Sequence, residues 1–311
     1  MTNDMPIGRT VGGYAIEKLI GHGGMASVYK AHDRSGAAVA LKVLRADAPT
    51  GDAADRLARE AAWLSRCADP HIVRIFTTGV DEGTHYIAME LLHCSLQQVT
   101  SARPTVGQLV EIGAGILLGL SAAHRVGVIH GDLKPANVGI GADGTIKLLD
   151  FGAANPLPWN ELLTDSDTHQ THLGCVGTLQ YLPPEHLRGD AVDERADVYG
   201  TGAVLYEVGT GQPPFPEPRP ACLIDAILNA MPRPPSELNQ RLTGAVDSVV
   251  LCALAKRPAA RYRSVHAMMD ALLEARISSD PARRISDDST REDCTARYRI
   301  DPATLGARAL G

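Results

Sequence analysis

The hydrophobic pattern of this 311-residue chain changes its period close to residue 92. Before that point, apolar and polar residues alternate in short runs, which is typical of half-buried strands. These runs are residues 14–20, 26–31, 38–44, 72–77 and 86–91. Residues 52–67 have helical spacing instead. The first part of the chain therefore predicts a small, mostly β unit with one helix.

After residue 92 the apolar residues recur at helical spacing. Helices are predicted at residues 106–125, 196–209, 221–230, 243–255 and 265–275. A chain of this length can form two lobes that share a cleft. We therefore expect an α+β, bilobal fold. Its N-lobe is small and β-rich with one main helix, and its C-lobe is larger and mainly helical.

The same patterns predict the boundaries of the folded unit. Residues 1–12 are expected to be a lead, and residues 13–275 to form the domain. The N-lobe covers about residues 13–89, residues 90–92 connect the lobes, and the C-lobe covers residues 93–275. Residues 276–311 are rich in Ser, Arg and Asp with few large apolar side chains, which predicts a flexible tail with a short helix near residues 303–310.

Composition excludes several classes of protein. The hydrophobic fraction of 44% and the charged fraction of 21% are ordinary for a globular protein. The formal net charge of −6 argues against a nucleic-acid partner or an anionic membrane. We expect no membrane-spanning helix, because the apolar run at residues 109–123 is short and rich in Gly, as in a buried helix. The 6 cysteines are scattered without a CxxC pair, which favours reduced thiols in a cytoplasmic protein.

The strongest chemical signal is the loop at residues 130–137, which carries an acid, a lysine and an amide. Asp132 can accept a proton from an attacking hydroxyl, and Lys134 can neutralise charge on a moving phosphoryl group. Asn137 can bind a magnesium ion, and Asp150, which opens an Asp-Phe-Gly sequence, can bind the same metals from the other side. This set predicts phosphoryl transfer.

A second, weaker signal precedes it in the first lobe. Gly21, Gly23 and Gly24 lie in a turn between two strands, where backbone amides can approach phosphate oxygens. An ordinary hairpin turn would have the same glycines. Lys42 on the next strand strengthens the phosphate interpretation, and Glu60 on the following helix offers an ion-pair partner for it.

The order of these motifs resembles that of the eukaryotic-type serine/threonine protein kinases over residues 14–273. The Gly23-Gly24-Met25 turn is especially similar to that of their bacterial members. The resemblance implies ATP as phosphoryl donor with Mg²⁺, or alternatively Mn²⁺. It also implies protein Ser/Thr hydroxyls as acceptors, including those of the chain itself, and leaves the oligomeric state open.

The resemblance also assigns roles to single positions. The catalytic residues would be Asp132, Lys134, Lys42 and Glu60, and the metal ligands Asn137 and Asp150. The positions that would contact the nucleotide are Gly21, Gly23, Gly24, Val28, Ala40, Lys42, Met89, Glu90 and Leu92. Asp197 would support the catalytic loop, Arg261 would pair with Glu185, and Thr178 would bridge to the catalytic Asp and Lys.

Two departures from the family pattern bear on function. Gly131 stands where many family members have an Arg that pairs with a phosphate on the activation loop, so the chain is of the non-RD type. We expect its activation not to require that phosphate. Gly139 stands where the family has a Leu or a similar residue under the adenine ring. We expect a gap in the floor of the pocket there, with weaker ATP binding or tolerance of a bulkier base.

Two other functions remain open at this point. The His130-Gly131-Asp132 sequence is also similar to the loop of aminoglycoside phosphotransferases, which share the fold and act on small molecules. A pseudokinase scaffold is the other alternative. The presence of Lys42, Glu60, Asp132, Asn137 and Asp150 argues against a scaffold, and the gap expected at Gly139 favours it.

Overall fold

The structure is a computed structural model. It describes residues 5–23, 25–45, 54, 57–58, 61–62, 67–99, 103–151, 179–279 and 299–305. Two sheets and a group of helices make up this part of the chain, and they separate into the two lobes that the sequence predicts.

The first lobe is built on a six-stranded antiparallel sheet with the strand order β1-β2-β3-β4-β6-β5. Its strands are β1 (Thr10–Val11), β2 (Tyr14–His22), β3 (Ala26–His32), β4 (Ala38–Leu44), β5 (Ile75–Asp81) and β6 (Thr84–Met89). Residues 54, 57, 58, 61 and 62 are helical. The period-2 pattern places alternate apolar side chains, such as Tyr29 and Leu41, in the core of this lobe.

The sheet begins before the boundary expected from the sequence. Thr10 and Val11 pair with Ala15 and Tyr14 of β2, and Val11 is only 1% exposed. The expectation that residues 1–12 precede the domain therefore does not hold for this strand. A two-residue strand is too short to show an alternating pattern, so periodicity could not reveal it.

The second lobe is organised around helix α1 (Val106–Arg125). The helix begins with a capping box, in which Gln108 N donates to Thr105 Oγ1 and Thr105 N donates to Gln108 Oε1. It is the one helix among the described residues that is long and apolar enough to cross a membrane, and 78% of its apolar window is buried inside the protein. The prediction of a buried helix at residues 109–123 is confirmed.

Six further α-helices belong to the second lobe within the described residues. They are α2 (Pro184–Arg188), α3 (Arg195–Thr210), α4 (Pro220–Asn229), α5 (Pro235–Leu238), α6 (Gly244–Ala253) and α7 (Val265–Ser279). A three-stranded sheet, β7 (Cys94–Ser95), β8 (Val138–Ile140) and β9 (Ile146–Leu148), covers the side of α1 that faces the first lobe. Helix α3 is buried along most of its length in the main core of this lobe. A second hydrophobic cluster lies around α4 and contains Leu179, Leu182, Phe215, Leu223 and Ile227.

Part of the expected tail belongs to the fold. Helix α7 continues to Ser279, and residues 299–305 pack against the second lobe. Ile300 N donates to Gly144 O at 2.9 Å, and the side chains of Ile300 and Leu305 are 2% and 0% exposed. The expectation of a flexible tail therefore does not hold for residues 299–305. The described part of the short helix expected near residues 303–310 is a 3₁₀ turn at Pro302–Leu305, and residues 306–310 lie outside the described residues.

Candidate active site

The predicted catalytic loop brings its three polar side chains together between α1 and β8. Lys134 Nζ lies 2.7 Å from Asp132 Oδ2, and Asn137 Nδ2 donates to both Asp132 O (2.8 Å) and Asp132 Oδ2 (3.2 Å). Because the amide nitrogen of Asn137 faces Asp132, its Oδ1 is the atom left to accept a metal ion. Asp132 and Lys134 keep 19% and 24% of their side chains exposed, so a substrate can reach them.

The backbone of this loop is held by a carboxylate from the buried helix α3. Asp197 is 0% exposed, and it accepts hydrogen bonds from His130 N and Gly131 N, both at 2.9 Å. His124 Nε2, at the end of α1, lies 2.7 Å from the same carboxylate. These bonds fix Gly131 at a φ of 73°, a left-handed conformation that Gly adopts without steric cost. The supporting role expected for Asp197 is thus explained by its contacts.

Asp150 lies next to the catalytic loop, because Leu149 N donates to Asn137 O at 2.9 Å, and the backbone of Asp150 has a strained conformation. Its φ is 57°, which is uncommon for a residue with a side chain and is typical of functional positions. Lys42 Nζ lies 3.1 Å from Asp150 Oδ1. Desolvation would raise the pKa of the Asp150 carboxyl, but the charge and hydrogen bond of Lys42, together with Lys134, hold that pKa below its ordinary value. Asp150 is therefore kept ionised, as a metal ligand must be.

A ring contact positions the segment around Asp150. The Phe151 ring is buried and lies 4.6 Å from the His130 ring, centroid to centroid. His130 Nε2 donates to Leu149 O at 2.9 Å, which ties the catalytic loop to the residue before Asp150. His130 therefore connects the two motifs that carry the chemistry, although sequence reasoning gave it no role.

Several first-lobe residues that are predicted to contact the nucleotide lie on adjacent strands. Val28 of β3 pairs with Lys42 of β4, and Ala40 of β4 pairs with Met89 of β6. In the turn before β3, Gly23 N donates to Ala26 O, and a Cβ at Gly23 would lie 3.2 Å from that oxygen. This geometry requires a residue without a large side chain.

The connector between the lobes leaves hydrogen-bonding groups available. Glu90 N donates to Arg74 O, and the Glu90 carboxylate pairs with Lys147 Nζ at 3.0 Å. Within the described part of the chain, no group bonds to the backbone oxygen of Glu90 or to the N–H of Leu92. A hydrogen-bond acceptor and a donor that lie only two residues apart are suited to bind the edge of a nucleotide base.

The gap expected at Gly139 is absent. A Cβ built on Gly139 would lie 2.3 Å from Leu92 Cδ1, so the side chain of Leu92 already occupies that space. The expectation of an open floor is therefore wrong. Leu92 is distant from Gly139 in the sequence, so the residues around Gly139 could not predict that its side chain fills this space.

Below the catalytic loop, a buried ion pair anchors α2 in the second lobe. Arg261 forms two bonds of 2.6 Å to the Glu185 carboxylate, and its guanidinium lies 4.9 Å from the centre of the Tyr199 ring. The predicted pairing of these residues is confirmed. A second anchor, Tyr181 Oη donating to Glu207 Oε2 at 2.6 Å, was not predicted, because neither residue type is unusual at its position.

Some predicted residues cannot be placed. Glu60, Gly24 and Thr178 lie outside the described residues. Within the part that is described, no three His, Cys, Asp or Glu side chains form a metal-binding group by themselves. Mg²⁺ in phosphotransferases takes one or two carboxylates and completes its coordination with substrate phosphates and water, so Asn137 and Asp150 fit this metal.

Comparisons with known proteins agree with the geometry. The protein kinase domain model matches residues 14–294. The serine/threonine-protein kinase PknB of Mycobacterium tuberculosis is 37% identical over 278 residues, which are 86% of this chain and 44% of the relative. A probable serine/threonine-protein kinase of Streptomyces coelicolor is 38% identical over 273 residues, which are 84% of this chain and 39% of the relative.

The chain thus spans less than half the length of these curated relatives. The match covers both lobes, the catalytic loop and the Asp150 segment, and these are the regions in which the site residues converge. The chain belongs to the protein kinase family, and bacterial serine/threonine-protein kinases are among its relatives.

Proposed function

We propose that this chain transfers the γ-phosphoryl group of ATP to Ser or Thr hydroxyls of proteins. The observation that carries the proposal is the convergence of polar side chains from the two lobes. The second lobe supplies Asp132, Lys134, Asn137 and Asp150, and Lys42 Nζ of the first lobe lies 3.1 Å from Asp150 Oδ1. Phosphoryl transfer needs positioned charge more than covalent chemistry by the protein, and this arrangement supplies it.

Each of these side chains has a defined task. Asp132 accepts the hydrogen bond of the attacking hydroxyl and orients its oxygen toward the γ-phosphorus. Lys134, which lies 2.7 Å from Asp132, neutralises charge on the transferred group. Asn137 Oδ1 and the Asp150 carboxylate would hold Mg²⁺, which supplies charge neutralisation to the phosphate oxygens when bound. Lys42 would pair with the phosphates from the first lobe.

The second-lobe anchors support a protein acceptor over a small molecule. Glu185, Arg261, Tyr181 and Glu207 fix the segment that follows the catalytic site as a rigid surface. An extended peptide needs such a surface to be held next to Asp132. We also propose a cytoplasmic location, which the free thiols of Cys67 and Cys94 favour.

The first test is the Asp132→Asn variant. We expect phosphate transfer from labelled ATP to a generic protein substrate to fall by about 10²–10⁴-fold, because the general base is lost. The binding of ATP should remain, since Asp132 does not contact the base. Lys18→Ala on β2 is the matched control and should keep wild-type activity.

Three results would contradict the proposal. Unchanged transfer by Asp132→Asn would indicate a scaffold. Phosphorylation of an aminoglycoside in place of protein would indicate a small-molecule kinase. Failure of the wild-type chain to bind ATP would exclude both enzymes.

A further inference from the structure

Gly139 lies at the centre of β8, between Val138 and Ile140, whose side chains are fully buried in the core of the second lobe. A Gly inside a strand often marks the close approach of another group. Here that group is Leu92. A Cβ at Gly139 would lie 2.3 Å from Leu92 Cδ1, 3.2 Å from Leu149 Cδ1 and 3.4 Å from Cys94 O.

The backbone after Leu92 fixes this contact. His93 N donates to Ile140 O at 2.8 Å, and Cys94 and Ser95 pair with Ile140 and Gly139 in the antiparallel sheet. The connector therefore runs along β8 as it enters the second lobe. Leu92 is only 6% exposed, so its side chain is packed against the strand and does not extend into solvent.

This inference rests on the proposed function, because it concerns the base of the bound nucleotide. The backbone N–H of Leu92, which has no partner among the described residues, is suited to bond the edge of that base. Val28 and Ala40 supply apolar groups from the first lobe. A flat base between the lobes also needs an apolar surface from the second lobe, and Gly139 has no side chain to provide one.

We propose that the side chain of Leu92 is the apolar surface on which the nucleotide base rests. Gly139 is required because it leaves room for this side chain. The connector then contributes both the polar contact to the edge of the base and the apolar contact to its face.

The proposal predicts a specific pattern in a double-mutant cycle. Leu92→Ala removes the surface, and Gly139→Leu forces a second side chain into occupied space, so each change alone weakens ATP binding. The combination of Leu92→Ala with Gly139→Leu moves the same side chain to the other backbone position and restores the surface. Such compensation is the mark of two positions that share one space.

The experiment measures the dissociation constants of Mg²⁺–ATP and of Mg²⁺–tripolyphosphate by calorimetry for the full chain and the three variants. Tripolyphosphate has the phosphates without the base, so its affinity should stay constant. We expect each single variant to raise the ATP dissociation constant by about fivefold or more, from the loss of buried apolar contact. The double variant should return to within about twofold of wild type.

Several results would overturn the inference. These are single variants that bind ATP normally, a double variant whose losses add, and an equal loss of tripolyphosphate binding. If Gly139→Leu does not fold, Gly139→Ala introduces the colliding Cβ alone, and Leu92→Ala should rescue it in the same way. A wild-type chain that binds tripolyphosphate but not ATP would refute the proposed function instead.

Discussion

At the scale of single residues, the catalytic loop depends on one backbone conformation. Gly131 has a φ of 73° and donates its N–H to Asp197. Gly131, at which the family resemblance implies an Arg, therefore lies at a position where a side chain would be strained. The absence of that Arg removes a possible phosphate contact and also relieves the loop of this strain.

Gly131→Ala tests this directly. A side chain in the left-handed region costs roughly 1–2 kcal/mol, so the free energy of unfolding should fall by about that amount. Gly244→Ala is the matched control, because its Cβ would meet nothing within 4 Å and its φ is not positive. Urea denaturation measures both variants, and equal stabilities for the two would contradict the argument.

The contacts of individual residues also show how much of the site could be predicted from the sequence. The structure brings Asp132, Lys134 and Asn137 together and places Lys42 next to Asp150, as expected from motifs that are local and chemically specific. Their catalytic and metal-binding roles stay predictions. The prediction about the environment of Gly139 is wrong, because Leu92 reaches it from another segment. Pattern within a short window reports which residue types are present, whereas packing between distant segments depends on the whole fold.

At the scale of elements, the segment at residues 299–305 extends the second lobe. Arg299 pairs with Thr145 in an antiparallel bridge, and Gln108 Nε2 donates to Thr304 Oγ1. Gly144, at a φ of 83°, accommodates the segment, since a Cβ there would lie 2.3 Å from Ile300 O. Sequence analysis assigned residues 299–302 to a flexible tail, because two apolar residues in a polar stretch give no periodicity.

Ile300→Ala should therefore lower the free energy of unfolding by about 2–4 kcal/mol, as expected for a buried aliphatic side chain. Ile277→Ala on α7 is the matched control. Ile277 is 42% exposed, so its replacement by Ala should lower the free energy of unfolding by no more than about 0.5 kcal/mol. Denaturant titration of the full chain gives both values. Similar losses for the two variants would show that the segment does not contribute to stability.

Helix α4 ends on a partly buried cation. Lys256 Nζ donates to Ala226 O and Ile227 O, the carbonyls of its last turn, and lies 4.2 Å from the centre of the Phe215 ring. Desolvation, with smaller contributions from Arg261 and Arg188, lowers the pKa of Lys256 to about 8. The group therefore titrates at a lower pH in the folded chain than in the unfolded chain.

Because the unfolded state binds more protons between this pKa and the ordinary lysine value, stability should rise as the pH increases above 8. The rise should disappear in Lys256→Met, which has no titrating group, and in Lys256→Arg, which stays protonated. The effect is measured as the free energy of unfolding between pH 8 and about 9.5. Tyrosine titration contributes equally to all three proteins, because they contain the same tyrosines. Parallel pH profiles for wild type and variants would refute the assignment.

At the scale of the whole molecule, control of activity is the main consequence of Gly131. The activation segment between Asp150 and Leu182 contains Thr164, Ser166, Thr168 and Thr171, which lie outside the described residues. The family resemblance implies an Arg at position 131 as a partner for a phosphate on this segment, and Gly131 cannot supply that contact. Catalytic activity should therefore not depend on phosphorylation of this segment.

Replacing those four residues together by Ala should leave the rate of substrate phosphorylation largely unchanged. The measurement is the initial rate of transfer to a generic protein substrate, compared with wild type that has been treated with phosphatase. A loss of more than tenfold, equivalent to about 1.4 kcal/mol of activation free energy, would show that the segment is a switch after all.

The hydrogen bonds of Asp197 bear on how long the catalytic loop keeps its conformation. Its carboxylate accepts the amides of His130 and Gly131 from within the buried helix α3. We expect those two amide protons to exchange slowly with solvent, because both are bonded to a buried carboxylate on a helix. We therefore expect the catalytic loop, although irregular in backbone, to keep its conformation for as long as helix α3 stays folded.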